Sequence, residues 1–270
     1  MTRPIDHVVI AVNDLPAAIT TFTELGFTVQ AGGEHAHRRS HNALVTFADG
    51  AYIEIIAFQD PDLVRDDLWF RILQTGEGWV DVAVLSSDLE GDVAALEEAG
   101  IANTGIRPGG RQRPDGQQVD WRSARIDPTP AGRVPFVIDD VTPHDLRVPG
   151  SEPVVHPNHV TGVVGVTSLV AGLDPIATVH ERLFGPGNPV DRVAGEPVIG
   201  RRYTAGPHWL EIVQSKSADG LLGQHLARRG PTPWEVTFYV ASGSTVVTVD
   251  PMVIHGARFR FISGDDVLTS

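Results

Sequence analysis

The chain of 270 residues contains no cysteine, a single lysine and only three tyrosines. Without cysteine it can form no disulfide framework, thiolate nucleophile, zinc–thiolate site or iron–sulfur cluster. A bound metal would therefore have to use His, Asp or Glu as its ligands. The one lysine, Lys216, follows Gln214 and Ser215, which excludes a phosphate-binding P-loop at that position. The signatures G-x-S-x-G, H-E-x-x-H and G-x-G-x-x-G are also missing.

Long apolar runs are missing as well. The longest apolar stretch, Val160 to Leu173, is interrupted by glycine, serine and threonine and is shorter than the ~20 residues of a bilayer-spanning helix. The N-terminal residues carry no secretory signal pattern, so we expect a cytoplasmic protein. Acidic residues outnumber basic ones by 34 to 21, which gives a net charge of −13. This charge disfavours nucleic acid and anionic membranes as partners and favours a small molecule.

What the sequence does contain is an internal repeat. An alternating apolar strand followed by a helical stripe occurs near the N-terminus and again 74 residues later, with Asp14 matching Asp88 and Gly26 matching Gly100. The aspartates stand at helix N-cap positions and the glycines just after the helix ends. A third copy, whose internal spacing differs by one residue, covers residues 163–185. Short strand-like runs follow each helix, so each unit is expected to be a βαβββ module.

These modules predict an α+β fold with curled mixed sheets, made of about three βαβββ modules and a degenerate fourth that begins near Trp234. Residues 142–158 hold four prolines and no periodicity, which is typical of a linker. The expected organisation is thus a first pair of modules in residues 1–141, a proline-rich linker in residues 142–158, and the third module with the degenerate fourth in residues 159–270.

Three charged or titratable residues interrupt apolar strands, where an unpaired charge is costly. Glu54 and Glu211 lie at the same place in the last strands of the first and third modules, and His7 lies in the first strand of the first module. The first and last strands of a βαβββ module can be neighbours in a sheet. His7 and Glu54 are therefore expected to converge, and an imidazole with a carboxylate can hold a divalent cation.

The chain resembles the glyoxalase-like domain proteins of the vicinal oxygen chelate superfamily over roughly residues 5–215. The resemblance is carried by the Asp-His-Val-Val run at Asp6, the Val-Asn-Asp-Leu helix entry at Val12 and the Tyr-Ile-Glu-Ile-Ile strand at Tyr52. It implies paired modules that curl into a cup. It also implies an enzyme, a lyase, isomerase or dioxygenase, that uses a divalent metal (Mn, Fe, Ni, Co or Zn) to chelate a small oxygen-rich substrate.

Position by position, the resemblance implies that His7 and Glu54 are metal ligands and that Glu211 is a ligand or a general base. Glu54 and Glu211 are therefore also the expected catalytic residues. The fourth ligand does not carry over, since Asp81 and Gly165 stand at the corresponding first-strand positions.

Other residues are candidates for contact with the substrate. The resemblance places His41 and Asn42 at the substrate, and His156 in a substrate-binding or structural role. His35 and His37 lie in the same stretch as His41, which forms either the rim of the cup or a solvated glycine-rich loop.

Two alternatives stay open from the sequence. The cup could be metal-free and could sequester an aromatic compound, as in the bleomycin-resistance members of the superfamily. It would then have Glu54 paired with an arginine and be lined by aromatic residues, for which the candidates are Phe47, Tyr52, Phe58, Trp209 and Tyr239. A group of five arginines suits either recognition of a carboxylate or phosphate or a solvated hairpin: Arg107, Arg111, Arg113, Arg122 and Arg125. Modules could pair within one chain or across a homodimer.

Overall fold

The repeat seen in the sequence is present in the computed structural model, which describes residues 3–35, 39–127, 129–148, 154–241 and 254–263. The first module comprises β1 (Ile5–Ala11), α1 (Leu15–Glu24), β2 (Gln30–His35), β3 (Ser40–Thr46) and β4 (Tyr52–Phe58). A short helix, α2 (Leu68–Leu73), leads to the second module, which comprises β5 (Gly78–Leu85), α3 (Leu89–Glu98), β6 (Arg107–Gln112), β7 (Gln118–Ala124) and β8 (Phe136–Asp140).

The second half of the chain repeats this order. Helix α4 (His144–Arg147) precedes the third module, which comprises β9 (Val160–Leu169), α5 (Leu173–Phe184), β10 (Asn188–Val193), β11 (Glu196–Ala205) and β12 (His208–Ser215). Helix α6 (Leu221–Arg229) then leads to the remaining strands, β13 (Pro233–Val240) and β14 (Arg258–Ser263). Residues 242–253, between these two strands, lie outside the described residues.

The helix ends have the capping chemistry that the repeat predicts. The Asp14 side chain accepts a hydrogen bond from the backbone N–H of Ala17, at 2.9 Å, and Asp88 accepts one from Gly91, at 3.0 Å. Gly26 and Gly100 have φ angles of 82° and 70°, in the left-handed region that favours glycine. The 74-residue offset therefore reflects two copies of one strand–helix unit.

The first two modules close into an eight-stranded barrel in the order β1-β4-β3-β2-β6-β7-β8-β5. Strand β1 pairs in parallel with β4 and antiparallel with β5. In the seam opposite this junction, between β2 and β6, the described residues form one register pair, Glu34–Gln112. Mixed sheets were expected, but closure into a barrel goes beyond the curled cup that the sequence predicts.

The third module and the last two strands form an open six-stranded sheet, in the order β10-β11-β12-β9-β13-β14. This sheet packs on the outer wall of the barrel. The ring of Phe259 on β14 lies 4.9 Å from Trp79 of β5 and 6.0 Å from Phe22 of α1. One apolar core thus joins the two halves, while the domain boundaries at residues 141 and 159 stay a prediction. No described helix is long and apolar enough to span a membrane.

The interior of the barrel has two different ends. A buried apolar cluster, which includes Val9, Ile56 and Leu73, fills one end. The other end encloses a cavity of about 410 Å³. Because side chains alternate along a barrel strand, every second residue of β1, β4, β6 and β8 can face this interior. The cavity is thus the place to look for ligand binding.

Candidate functional site

His7 and Glu54 lie side by side on the cavity wall. The parallel register of β1 and β4 sets His7 opposite Tyr52 and Val9 opposite Glu54, so the two side chains share one face. His7 is 3 % exposed and Glu54 is 6 % exposed. The Nε2 atom of His7 lies 3.7 Å from Oε2 of Glu54. The structure therefore brings these two side chains together at one point inside the barrel.

A buried carboxylate orients the His7 ring. Oδ1 of Asp6 lies 2.5 Å from Nδ1 of His7. Although burial by itself raises the pKa of Asp6, the Arg147 guanidinium and His7 hold that pKa well below its usual range. Asp6 is thus a carboxylate, which can only accept, so Nδ1 of His7 must carry a proton. The Nε2 atom of the same ring is left facing Glu54.

Arg147 completes the support of His7. Its two terminal nitrogens donate to the Asp6 carboxylate at 3.0 and 2.6 Å, and Nη1 also donates to the Tyr52 hydroxyl at 2.8 Å. Arg147 is 2 % exposed, and although burial lowers its pKa, the Asp6 charge raises the pKa well above its usual value. Arg147 lies on α4, inside the predicted linker, where no pattern in the sequence points to a functional residue.

Asn42 and His35 hold Glu54 from the other side. The Asn42 amide donates from Nδ2 to Oε1 of Glu54 at 2.7 Å, and Nε2 of His35 lies 3.7 Å from the same oxygen. The His35 ring is itself fixed through Nδ1, which lies 3.2 Å from the Ser40 hydroxyl. Two imidazole Nε2 atoms and one amide thus surround a single buried carboxylate.

Not every residue expected at the substrate lines this cavity. Asn42 lines it, whereas His41, the next residue along β3, faces the opposite side of the strand and is absent from the described lining. His156 is buried elsewhere, where its Nδ1 accepts from the backbone N–H of Thr28 at 3.0 Å and its Nε2 lies 3.1 Å from the Thr46 carbonyl. His156 therefore ties the segment after α4 to the outside of the barrel. His37 lies outside the described residues.

Glu211 lies in the six-stranded sheet, and it is not among the described residues that line the barrel cavity. It accepts hydrogen bonds from the Thr167 hydroxyl at 2.8 Å and from Nε of Arg202 at 2.7 Å. In this module Gly165 stands opposite Trp209, as His7 stands opposite Tyr52. The Trp209 ring fills the space of the absent side chain, because a Cβ on Gly165 would lie 2.2 Å from it. The structure thus does not bring Glu211 to His7 and Glu54.

The second module offers different groups at the matching positions. Val9 is the register partner of Glu54, and Ala83, 74 residues after Val9, is the register partner of Phe136. Phe136 therefore holds the position in the second module that Glu54 holds in the first. The side chain of Asp81, the counterpart of His7, already has two hydrogen-bond donors as partners. It accepts from the Trp69 indole at 2.7 Å and from Arg125 at 2.6 Å. The second half of the cavity therefore presents an arginine and an aromatic ring.

Comparison with known proteins identifies the family. The sequence profile of the glyoxalase-like domain matches residues 5–184. The chain belongs to this family. The resemblance to glyoxalase-like proteins of the vicinal oxygen chelate superfamily, expected from the sequence, is thus confirmed. No curated protein matches the sequence of this glyoxalase-like protein.

Solved structures share the fold of the glyoxalase-like protein at low sequence identity. A hypothetical protein from Staphylococcus aureus is 14% identical, with a TM-score of 0.74 over 97% of this chain and 99% of that chain. A mutant 4-hydroxymandelate synthase from Streptomyces coelicolor is 17% identical, with a TM-score of 0.61 over 89% of this chain and 72% of that chain.

The side chains that could act as metal ligands in the glyoxalase-like protein do not fit the divalent ion that the superfamily resemblance implies. That arrangement needs a pair of ligands from each of two modules, and here one pair, His7 and Glu54, is present. The matching pair in the barrel is Asp81, bound to Arg125, and Phe136. Among the residues that the structure describes, no group of three His, Cys, Asp or Glu side chains could hold a metal ion.

The cavity of the glyoxalase-like protein has aromatic side chains beside its polar groups, since the Phe136 ring lies 5.4 Å from the His7 ring and the Trp121 ring lies 5.9 Å from the His35 ring. Trp69, Trp121 and Phe136 line the cavity together with Tyr52, which stacks on the His7 ring at 4.7 Å. Of the aromatic residues expected in a metal-free binding cup, Tyr52 is in the described lining, whereas Phe47 packs against the six-stranded sheet. The cavity therefore combines polar groups with a surface for a planar or apolar group.

Proposed function

We propose that this glyoxalase-like protein is an isomerase or lyase that moves a proton on a small oxygen-bearing substrate in the barrel cavity. Glu54 is the general base and His7 is its partner in proton transfer. The observation that carries the proposal is the placement of the Glu54 carboxylate. It is buried on the cavity wall, is held by Asn42 at 2.7 Å, and has Nε2 of His7 and of His35 at 3.7 Å. General bases need this fixed position and a restricted access to water.

The chemistry of a proton transfer follows from these groups. Glu54 takes a proton from a substrate carbon beside a carbonyl, and the electron pair of the broken C–H bond moves onto the carbonyl oxygen. Return of the proton to a neighbouring atom completes an isomerisation with no net oxidation or reduction. His7, with its Nδ1 proton directed at Asp6, can accept or return a proton at Nε2.

The metal-dependent lyase, isomerase or dioxygenase expected from the resemblance stays a prediction. His7 and Glu54 would be its ligands, but the second module supplies no matching pair among the described residues. We derive no step of the reaction through a metal ion.

A second candidate function, metal-free binding of an aromatic compound without catalysis, is favoured by one observation. The cavity wall carries Tyr52, Trp69, Trp121 and Phe136, and aromatic surfaces of this kind suit planar ligands. In that case Glu54 would be a polar contact and would transfer no proton.

Hydrogen exchange distinguishes the two functions. The wild-type protein, Glu54→Gln and Glu211→Gln are incubated in D₂O with small hydroxyketones and 2-hydroxy and 2-oxo acids, and deuterium on the carbon beside the carbonyl is followed by NMR. We expect exchange with the wild type, a rate lower by about 10²-fold or more with Glu54→Gln, and a near wild-type rate with Glu211→Gln. Equal rates with wild type and Glu54→Gln would contradict the proposal. The proposal would also be contradicted if the compounds bound in the cavity and none of them exchanged hydrogen for deuterium.

A further inference from the structure

Arg111 differs from Arg147 and Arg125, the other arginines that line the cavity. It lies on β6, lines the cavity and is 4 % exposed. Its Nε donates to the Gly32 carbonyl at 3.3 Å and its Nη2 donates to the Arg147 carbonyl at 2.6 Å. Both acceptors are neutral, and among the described residues no carboxylate forms an ion pair with this guanidinium. Arg147 and Arg125, in contrast, are each paired with a buried aspartate.

The charge of Glu54 acts on Arg111 from beyond ion-pair distance. A buried cation without a carboxylate in contact with it is costly, and proteins keep such groups where a ligand supplies the opposite charge. Burial lowers the pKa of Arg111, but a guanidinium starts from so high a value that it stays charged at neutral pH. Its Nη1 has no hydrogen-bond partner among the described residues. The two carbonyl bonds fix the planar group, so Nη1 is a pre-oriented donor at the cavity wall.

A stacking surface lies beside this donor. Gly109 and Arg111 are two residues apart on β6, so they face the same side of the strand at a separation of about 7 Å. Trp121 on β7 is the register partner of Gly109. Its ring lies against the glycine, because a Cβ there would be 2.2 Å from the indole Nε1. The absence of a side chain at Gly109 thus leaves room for the Trp121 ring, which lines the same cavity as Arg111.

We infer that Arg111 is the carboxylate anchor of the cavity and that the substrate is a small organic acid with a planar or aromatic portion. The carboxylate accepts a hydrogen bond from Arg111, and the planar portion lies against Trp121. This inference rests on the proposed function, because it names the substrate class of the same site. It places one acidic group at β6 and leaves the rest of the molecule within reach of Glu54 across the cavity of about 410 Å³.

The test uses pairs of compounds that differ in charge and hardly in shape. Dissociation constants of benzoate and benzamide, and of phenylacetate and phenylacetamide, are measured by calorimetry on the full-length protein. We expect each acid to bind at least about tenfold more tightly than its amide, as for a hydrogen bond to a charged group. In Arg111→Gln the acids lose this advantage and the amides bind as before. Arg107→Gln, an exposed position on the same strand, keeps the wild-type preference.

Equal binding of acid and amide by the wild type would overturn the inference, and so would an unchanged preference in Arg111→Gln. Absence of binding by every acid would overturn it as well. Thermal unfolding shows whether Arg111→Gln is folded. If Arg111→Gln is not folded, the ratios of the acid and amide dissociation constants of the wild type decide alone.

Glu54→Gln separates this inference from the proposed function, since this variant should bind the acids at least as tightly as the wild type. Selective binding of acids without any hydrogen exchange would leave Arg111 as the anchor and remove the catalytic proposal.

Discussion

Asn42 and Glu54, on the neighbouring strands β3 and β4, are joined by a 2.7 Å hydrogen bond from Nδ2 of the amide to Oε1 of the carboxylate. The two residues are diagonal neighbours, since Glu54 is directly opposite Leu44 in the antiparallel register. Because Nδ2 donates to Glu54, the Oδ1 atom of Asn42 is turned away, and it has no hydrogen-bond donor among the described residues. It lies against the backbone of Gly32. The orientation of the proposed base thus depends on a glycine two strands away.

We predict that Gly32→Ala disrupts this arrangement. A Cβ at position 32 would lie 2.0 Å from Oδ1 of Asn42, so the amide must move and release its bond to Glu54. Loss of a hydrogen bond to a charged group is expected to slow hydrogen exchange by about tenfold or more. The rate and the thermal unfolding temperature are measured together. Ala31→Ser, an exposed neighbour on the same strand, is the control. A wild-type rate in a folded Gly32→Ala protein would show that Asn42 does not position Glu54.

A second prediction concerns the buried ion pair of Arg147 and Asp6. Arg147→Met leaves the Asp6 carboxylate buried without its guanidinium partner, which is expected to lower the free energy of unfolding by about 3–5 kcal/mol. Urea unfolding measures the change. The matched control is Arg65→Met, which breaks an ion pair with Asp62 whose side chains are 74% and 81% exposed. That loss should stay below about 1 kcal/mol. Similar losses in both variants would contradict the special role of the buried pair.

The local pattern of the sequence was sufficient to predict that His7 and Glu54 converge. A titratable residue in an otherwise apolar strand stands out, and parallel pairing of the first and last strands of a module puts the two on one face. The same pattern could not show that Glu211 lies apart from them. The difference depends on Gly165 and Trp209, which replace the histidine and fill its place in the third module. Tertiary contacts, and not the local sequence pattern, therefore determine which modules form the cavity.

The role of Arg147 and the closure of the barrel could not be predicted from local sequence patterns. Arg147 follows a proline in a stretch without periodicity, and its role arises because α4 inserts it against Asp6, 141 residues away in sequence. No spacing rule connects two such positions. The repeat predicted the modules, but in the part of the chain that the structure describes one register pair, Glu34–Gln112, joins β2 and β6. A contact this small leaves no detectable periodic signal in either strand.

Metal analysis tests the ion that the superfamily resemblance implies. We expect protein purified without a histidine tag to contain far less than one equivalent of Mn, Fe, Ni, Co or Zn, and hydrogen exchange to survive EDTA. The reason is that His7 and Glu54 are one pair of ligands, whereas Arg125 occupies the matching aspartate of the second module. Near-stoichiometric metal that is lost in a His7→Ala, Glu54→Ala double variant would contradict this expectation and restore the metal-dependent function.

The last prediction concerns stability at acidic pH. His180 is 1 % exposed in α5, and burial lowers its pKa to about 4, although a bond to the Ile176 carbonyl opposes this effect. The unfolded chain binds this proton below about pH 6.5, whereas the native state binds it only near pH 4. Stability therefore falls as the pH falls through this window, by roughly 3 kcal/mol from this residue. Urea unfolding at several pH values should show a shallower slope in His180→Gln. Identical slopes would mean that His180 is protonated in the native state at the same pH as in the unfolded chain.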